Sequence, residues 1–325
     1  MSTTLTDTRL HAMQKWLTAQ LPQQSNQILL LAGDASFRRY FRVVSGDQQF
    51  VIMDAPPELE NCHPFVTIAK TFQDSVVRLP HVFAWDQQQG FLLLSDFGDQ
   101  QLLPLLNDHS ADALYQSALN TLIQLQQCDA VVDYVVPHFD DAQLWREFDI
   151  FFTWYLQKHL QKMMPTLDEK NLRETYQLLI ASAHEQPVVF VHRDYHSRNI
   201  MLCADQSLGI LDFQDAVWGP ITYDAVSLLR DCYIAWDNSQ VEKWVNYFYQ
   251  QLLRENKIKN ISFNTFLRWF DWMGLQRHLK CLGIFSRLFY RDNKAGYLKE
   301  IPRVLNYALS VCERYPELGT LKKIL

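Results

Sequence analysis

Apolar positions change their spacing along this chain, and the change divides it in two. Between Thr8 and Gln20 they recur at helical intervals, through Leu10, Met13 and Leu17, which predicts an amphipathic helix. Short runs rich in β-branched and aromatic residues follow at 27–33, 36–46 and 48–56. Gly46-Asp47 is a turn signal between the last two runs, so they read as a hairpin. Residues 63–76 return to helical spacing through Phe65, Ile68, Ala69, Phe72 and Val76. The stretches HVFAWD and GFLLLSDFG add two more strands, so residues 25–95 predict an antiparallel sheet with one inserted helix. After Gly98 the helical period takes over, most clearly at 110–128, 140–160 and 167–184. Two strand-like runs, VVFV (188–191) and LGILDF (208–213), interrupt it, and helices then resume. The aromatic stripe Trp145, Phe148, Phe152, Tyr155 and Leu156 reads as helix-bundle core, as do the aromatic runs at 233–249 and 263–290. The expected fold class is α+β in two lobes: a small antiparallel-sheet lobe with one helix over 1–97, and a larger, mainly helical lobe over 98–325.

Composition narrows the function classes. With 325 residues and 48% hydrophobic residues, the chain can build substantial cores. The net charge is −6 and no long Lys/Arg block occurs, which argues against nucleic acid or a membrane surface as partner. The six cysteines are scattered without a CxxC pair, which suits reduced core thiols rather than a zinc site. No 18-residue apolar window and no signal-peptide core are visible, so a soluble, cytoplasmic protein is expected.

The chemistry concentrates in VHRDYHSRNIM, residues 191–201, between the two strand-like runs. Asp194 precedes Asn199 by five residues, and Asp212 stands near the end of the next strand, thirteen residues further on. Phosphoryl transfer asks for such a set. One carboxylate must accept or orient the proton of the attacking hydroxyl, while an amide oxygen and a second carboxylate hold Mg²⁺ on the nucleotide phosphates. His192 and Arg193 read as residues that brace the loop. His196 suits a core or capping histidine as readily as a substrate ligand. Arg198 is either a cation for the transferred phosphoryl charge or an ordinary solvated arginine.

The pattern H-R-D-x-x-x-x-N followed by D-F resembles the catalytic and metal-binding loops of kinases. The fuller stretch HRDYHSRN…LDFQDAVWGPITYDAVSLL is similar to the aminoglycoside phosphotransferase and choline kinase branch. H-R-D-L-K is absent, no A-P-E element follows Asp212, and AVWGPITYDAVSLL reads as running directly into a helix. GDASFRRYFRV, VIMDAPPELENCHPFVTIA and GFLLLSDFG further resemble the bacterial anomeric sugar kinases of cell-wall recycling, a likeness that extends over roughly residues 5–310. The resemblance implies a two-lobed protein-kinase-like fold, ATP and Mg²⁺ as cofactors, and a small-molecule amino sugar phosphorylated at its C1 hydroxyl. It implies Asp194 as base or orienter, Asn199 and Asp212 as metal ligands, and Asp224 as the helix carboxylate that ties down the loop. The adenine edge is expected on the backbone of the connector Ser95, Asp96 and Phe97, and substrate near His196, Asp215 and Trp218.

One departure stands out. The third strand, FVIMDAPP, has Met53 or Asp54 where kinases carry a phosphate-binding lysine, and no glutamate occurs between His63 and Asp74 to pair with one. Ser36, Arg38 and Arg39 are the candidates to meet phosphate charge instead, with one of the two arginines facing the nucleotide. Two other functions fit these features. An aminoglycoside or choline-like amine kinase would draw on Asp215, Asp231 and Asp237, and a nucleotide-binding pseudokinase would tolerate the missing lysine.

Overall fold

The computed structural model describes residues 8–21, 27–31 and 37–325. The chain forms two compact units, and each is built by a different periodicity. The first takes the described residues up to Gln100 together with 131–135 and 201–214; the second takes the rest. A single boundary at residue 97 does not capture the two segments that return to the first unit.

The first unit is a five-stranded antiparallel sheet with two helices. Helix α1 (Thr8–Gln20) precedes β1 (Gln27–Leu30), β2 (Arg39–Ser45) and β3 (Gln48–Asp54), and α2 (His63–Thr71) precedes β4 (Val82–Asp86) and β5 (Phe91–Ser95). The strand order is β1-β2-β3-β5-β4. The β2–β3 hairpin closes through Gly46-Asp47 with Ser45 opposite Gln48, and Gly46 takes φ 61°, which only glycine adopts at little cost. Alternation along the strands puts Phe41, Val43, Phe50, Ile52, Phe91 and Leu93 on one face, where Met13 and Leu17 of α1 cover them. Asp54 belongs to this α1 side and binds Arg9 of the helix, whereas Met53, opposite Tyr40, belongs to the other face. Helix α2 ends at Thr71 rather than Val76; Phe72 is buried, but Val76 is exposed.

The second unit is mainly helical: α3 (Leu102–Leu105), α4 (Ala111–Leu125), α5 (Asp141–Ile150), α6 (Thr166–His184), α7 (Tyr223–Leu229), α8 (Asn238–Arg254), α9 (Phe263–Tyr290), α10 (Ile301–Arg314) and α11 (Gly319–Ile324). Helix α5 continues as a π-helical stretch, Phe151–His159. The 28-residue α9 is buried over most of its length and crosses that junction at Gly283, where a Cβ would lie 2.7 Å from the Ile150 carbonyl carbon. Phe148, Tyr155 and Leu156 of the aromatic stripe are core, with Trp145 and Phe152 packed against it.

Strand β6 (Val188–Val191) leads into the VHRDYHSRNIM loop. β7 (Ile200–Leu202) and β8 (Leu208–Ile210) form a short hairpin, so the LGILDF run is extended only as far as Ile210. Leu202 N–H donates to Gln100 O (2.8 Å) and Ile210 N–H to Arg78 O (2.9 Å), which fastens this segment to the first unit. The segment 131–135 is joined by Val132 N–H to Thr71 Oγ1 and by a ring contact between Tyr134 and His63. The stretch after Asp212 does not run directly into a helix. It first forms β9 (Val217–Pro220), which pairs antiparallel with β6. Among the described residues no helix is long and apolar enough to cross a membrane.

Candidate active site

In the second unit, the loop after β6 is held by groups that leave one carboxylate accessible. Asp224, in the first turn of α7 and fully buried, accepts from the backbone N–H of His192 (2.7 Å) and of Arg193 (3.0 Å). Arg193 takes φ 75°, a strained conformation for a residue with a side chain, and this paired acceptance holds it there. His192 Nδ1 accepts from Asp194 N–H. Asn199 Nδ2 donates to Asp194 O (3.0 Å) and closes the loop on itself. Asp231 accepts from both the N–H and Oγ–H of Ser197, and Tyr195 O–H donates to Ala118 O. The Asp194 backbone is thereby fixed from several sides, while its side chain stays 42% exposed.

Burial pushes the Asp224 carboxyl from its ordinary value of 3.8 up to about 7, against the two amide donors that favour its charge. A proton held more tightly by the folded state favours folding fully only below the unfolded value. This contribution is lost as pH rises from about 4 to about 7. Urea unfolding across that window should show stability declining in the parent chain and a flatter profile in Asp224→Asn; equal slopes would contradict this role for burial.

Around Asp194 lies a buried set of charges. Glu147 of α5, only 4% exposed, accepts from Arg193 Nη2 (2.8 Å), Lys280 Nζ (2.8 Å) and Gln276 Nε2 (2.8 Å). Burial raises the Glu147 pKa, but Lys280 and Arg193 outweigh it and keep the carboxylate ionised. Lys280 also donates to Tyr223 Oη. Arg277 Nη2 stands 3.8 Å from Asp194 Oδ1, and its Nη1 meets the sulfurs of Cys232 and Cys281. The surrounding protein would raise the Asp194 pKa; Lys280, His196, Arg277 and Arg193 together overcome this and hold it at about 2. Arg198 stands over the face of Tyr233, with its guanidinium carbon 3.5 Å from the ring centroid. His196 meets the same ring edge-on at 5.4 Å, and burial lowers its pKa.

In the first unit the two candidate arginines separate. Arg38 Nε donates to Glu60 Oε2 (3.0 Å), and Arg38 Nη1 lies 3.8 Å from Asp212 Oδ1. Arg39 binds the buried Asp54 carboxylate beside Arg9, an anchor between β2, β3 and α1. Arg38 and Glu60 thus form an ion pair in the unit that lacks the lysine–glutamate pair, with the glutamate preceding α2 instead of lying within it. Asp212 takes φ 65° and accepts from Gln214 Nε2 (2.8 Å). The connector Ser95–Gly98 is clipped by Arg42: its guanidinium forks onto Asp96 and also reaches Asp99 and Gly98 O. Ser95 Oγ accepts from His81 N–H. Phe97 covers Gly209 so closely that a Cβ there would come within 2.4 Å of its ring. The Asp96 side chain thus shapes the connector, and Ser36 lies outside the described residues.

Asp215 is exposed. Trp218 is half-buried in β9, with its ring edge-on to Phe190 at 5.8 Å. The sequence reading missed Glu60, Glu147, Arg277 and Lys280. A signal for the last three was available: each sits among apolar positions of a helix, where a charge must find a partner.

The chain matches the Phosphotransferase enzyme family over residues 27–255. It is 40% identical over 329 aligned positions to the N-acetylmuramate/N-acetylglucosamine kinase of Pseudomonas aeruginosa, with 98% of this chain and 96% of the relative covered. The enzyme of the same name from Pseudomonas putida matches with the same identity and coverage. Among solved structures, a choline kinase from Cryptosporidium parvum superposes with a TM-score of 0.68 at 8% identity, covering 96% of this chain and 98% of that one. That likeness shows a shared kinase-like fold.

Proposed function

Because the chain belongs to the phosphotransferase enzyme family, we propose that it transfers the γ-phosphoryl group of ATP to the anomeric C1 hydroxyl of N-acetylmuramate or N-acetylglucosamine. The observation that carries this reading is 40% identity to kinases named for those sugars over nearly the whole of both chains. The geometry supports it. Asp194 is fixed through its backbone and keeps an accessible carboxylate, suited to hold the acceptor hydroxyl in line. A carboxylate held at about 2 is a weak base at neutral pH, which favours orienting the hydroxyl over early proton abstraction. An anomeric hydroxyl, more acidic than an ordinary alcohol, needs less from a base.

Among the described residues no cluster of three or more His, Cys, Asp or Glu could by itself hold a metal ion. Magnesium in phosphoryl transfer takes one or two protein oxygens and completes its shell with phosphate and water, so the hard donors of Asn199 and Asp212 fit it. With Asn199 Nδ2 donating to Asp194 O, the amide oxygen is the end that would serve a metal. Held by donors of this kind, Mg²⁺ would neutralise charge on the nucleotide phosphates. Arg38, braced by Glu60 beside Asp212, would meet the remaining phosphate charge. Arg38→Met should raise KM for ATP about tenfold or more, and Glu60→Gln should do so less, as expected for loss of one charge-assisted contact. Unchanged nucleotide KM in both would remove Arg38 from this role.

An amine kinase would want its acids gathered. Instead Asp231 is buried on Ser197, while Asp215 and Asp237 are exposed. An ADP-release panel of N-acetylmuramate, N-acetylglucosamine, choline and an aminoglycoside tests the proposal. Turnover of the sugars alone is expected; turnover of the amines alone would overturn it.

A further inference from the structure

Four cations surround the Asp194 loop, and three are committed. Arg193 and Lys280 share Glu147, and Arg277 is buried against two thiols with only 5% of its side chain exposed. Arg198 differs. It is half-buried, and no carboxylate pairs with it among the described residues; Tyr233 covers one face of its guanidinium at 3.5 Å. Stacking of this kind immobilises the plane but leaves the in-plane N–H groups to form a fork, and a planar carboxylate matches that fork with two parallel hydrogen bonds. Tyr233 is itself positioned by its N–H, which donates to Asp231, the residue that also holds Ser197 of the loop. The stacked arginine and the carboxylate of Asp194 thus belong to one braced assembly within the second unit.

We infer that Arg198, presented by Tyr233, binds the carboxylate of an acidic sugar substrate and so sets the preference for acidic over neutral amino sugars. The inference rests on the sugar-kinase reading: N-acetylmuramate carries a lactyl carboxylate, and N-acetylglucosamine has none. Phosphate charge has another counterpart in Arg38 of the first unit, which leaves Arg198 for the acceptor.

Steady-state kinetics on both sugars, with saturating Mg²⁺-ATP, test this. In Arg198→Gln the ratio of kcat/KM for N-acetylmuramate over N-acetylglucosamine should fall about 30-fold, mainly through KM for the acid, as for loss of a charge-assisted contact. Tyr233→Phe keeps the ring and should keep the ratio; Tyr233→Leu should lower it. Equal loss on both sugars in Arg198→Gln would show that the arginine serves the phosphoryl group and would overturn the inference. So would an unchanged ratio. Failure of the parent chain on both sugars would instead overturn the sugar-kinase reading, and the inference with it.

Discussion

Asp194→Asn is expected to lower kcat about 10²–10⁴-fold, the range for removing a positioned acid–base group, in a chain that still folds but with a lowered unfolding midpoint, since the charge also offsets the buried cations Lys280, Arg277 and Arg193. The substitution keeps the shape of the side chain and touches none of the backbone bonds that build the loop. Those run from Asp224 to the His192 and Arg193 amides, from Asn199 Nδ2 to the Asp194 carbonyl and from Asp194 N–H to His192 Nδ1. What it removes is the accessible negative charge that would hold the acceptor hydroxyl under the proposed function. Circular dichroism and single-turnover assays on the same preparation check both halves. Turnover within tenfold of the parent would show that another group positions the acceptor.

The second large effect falls on stability. Glu147→Gln should destabilise the fold by about 3–5 kcal/mol, the cost found when one member of a buried ion pair is removed. The carboxylate is 5% exposed and faces both Arg193 and Lys280 at 2.8 Å, so its loss leaves two buried cations with reduced compensation. A second substitution, Lys280→Met, should recover part of the loss, because it removes one of those cations. Urea titration of the single and double variants measures this directly; a loss below about 1 kcal/mol for Glu147→Gln would mean that the cluster is better solvated than its burial implies.

The sequence carried those features whose signal is local. Strands β2, β3 and β5 follow from short apolar runs, and the β2–β3 hairpin from the Gly46-Asp47 turn signal. Asp194, Asn199 and Asp212 were singled out because phosphoryl-transfer chemistry asks for those residue types at short spacing. Glu147 and Lys280 each stand out only as a charge among apolar helix positions; their pairing does not, since the partners lie 133 positions apart and nothing in either helix alone indicates the other. Glu60 precedes α2, so the helical pattern of residues 63–71 does not include it. Strand β9 was hidden by Gly219 and Pro220, which read as turn residues; Pro220 is tolerated because it ends the strand, on a sheet of only two strands. The return of 201–214 to the first unit depends on backbone bonds to Gln100 and Arg78, a long-range event with no periodic signature.

The central claim is phosphoryl transfer to an anomeric hydroxyl, and the position of the phosphate on the product decides it. Two-dimensional ³¹P–¹H NMR of the product formed from N-acetylmuramate and Mg²⁺-ATP should correlate phosphorus with the anomeric H1. Correlation with the C6 protons, or with no sugar proton at all, would contradict the claim.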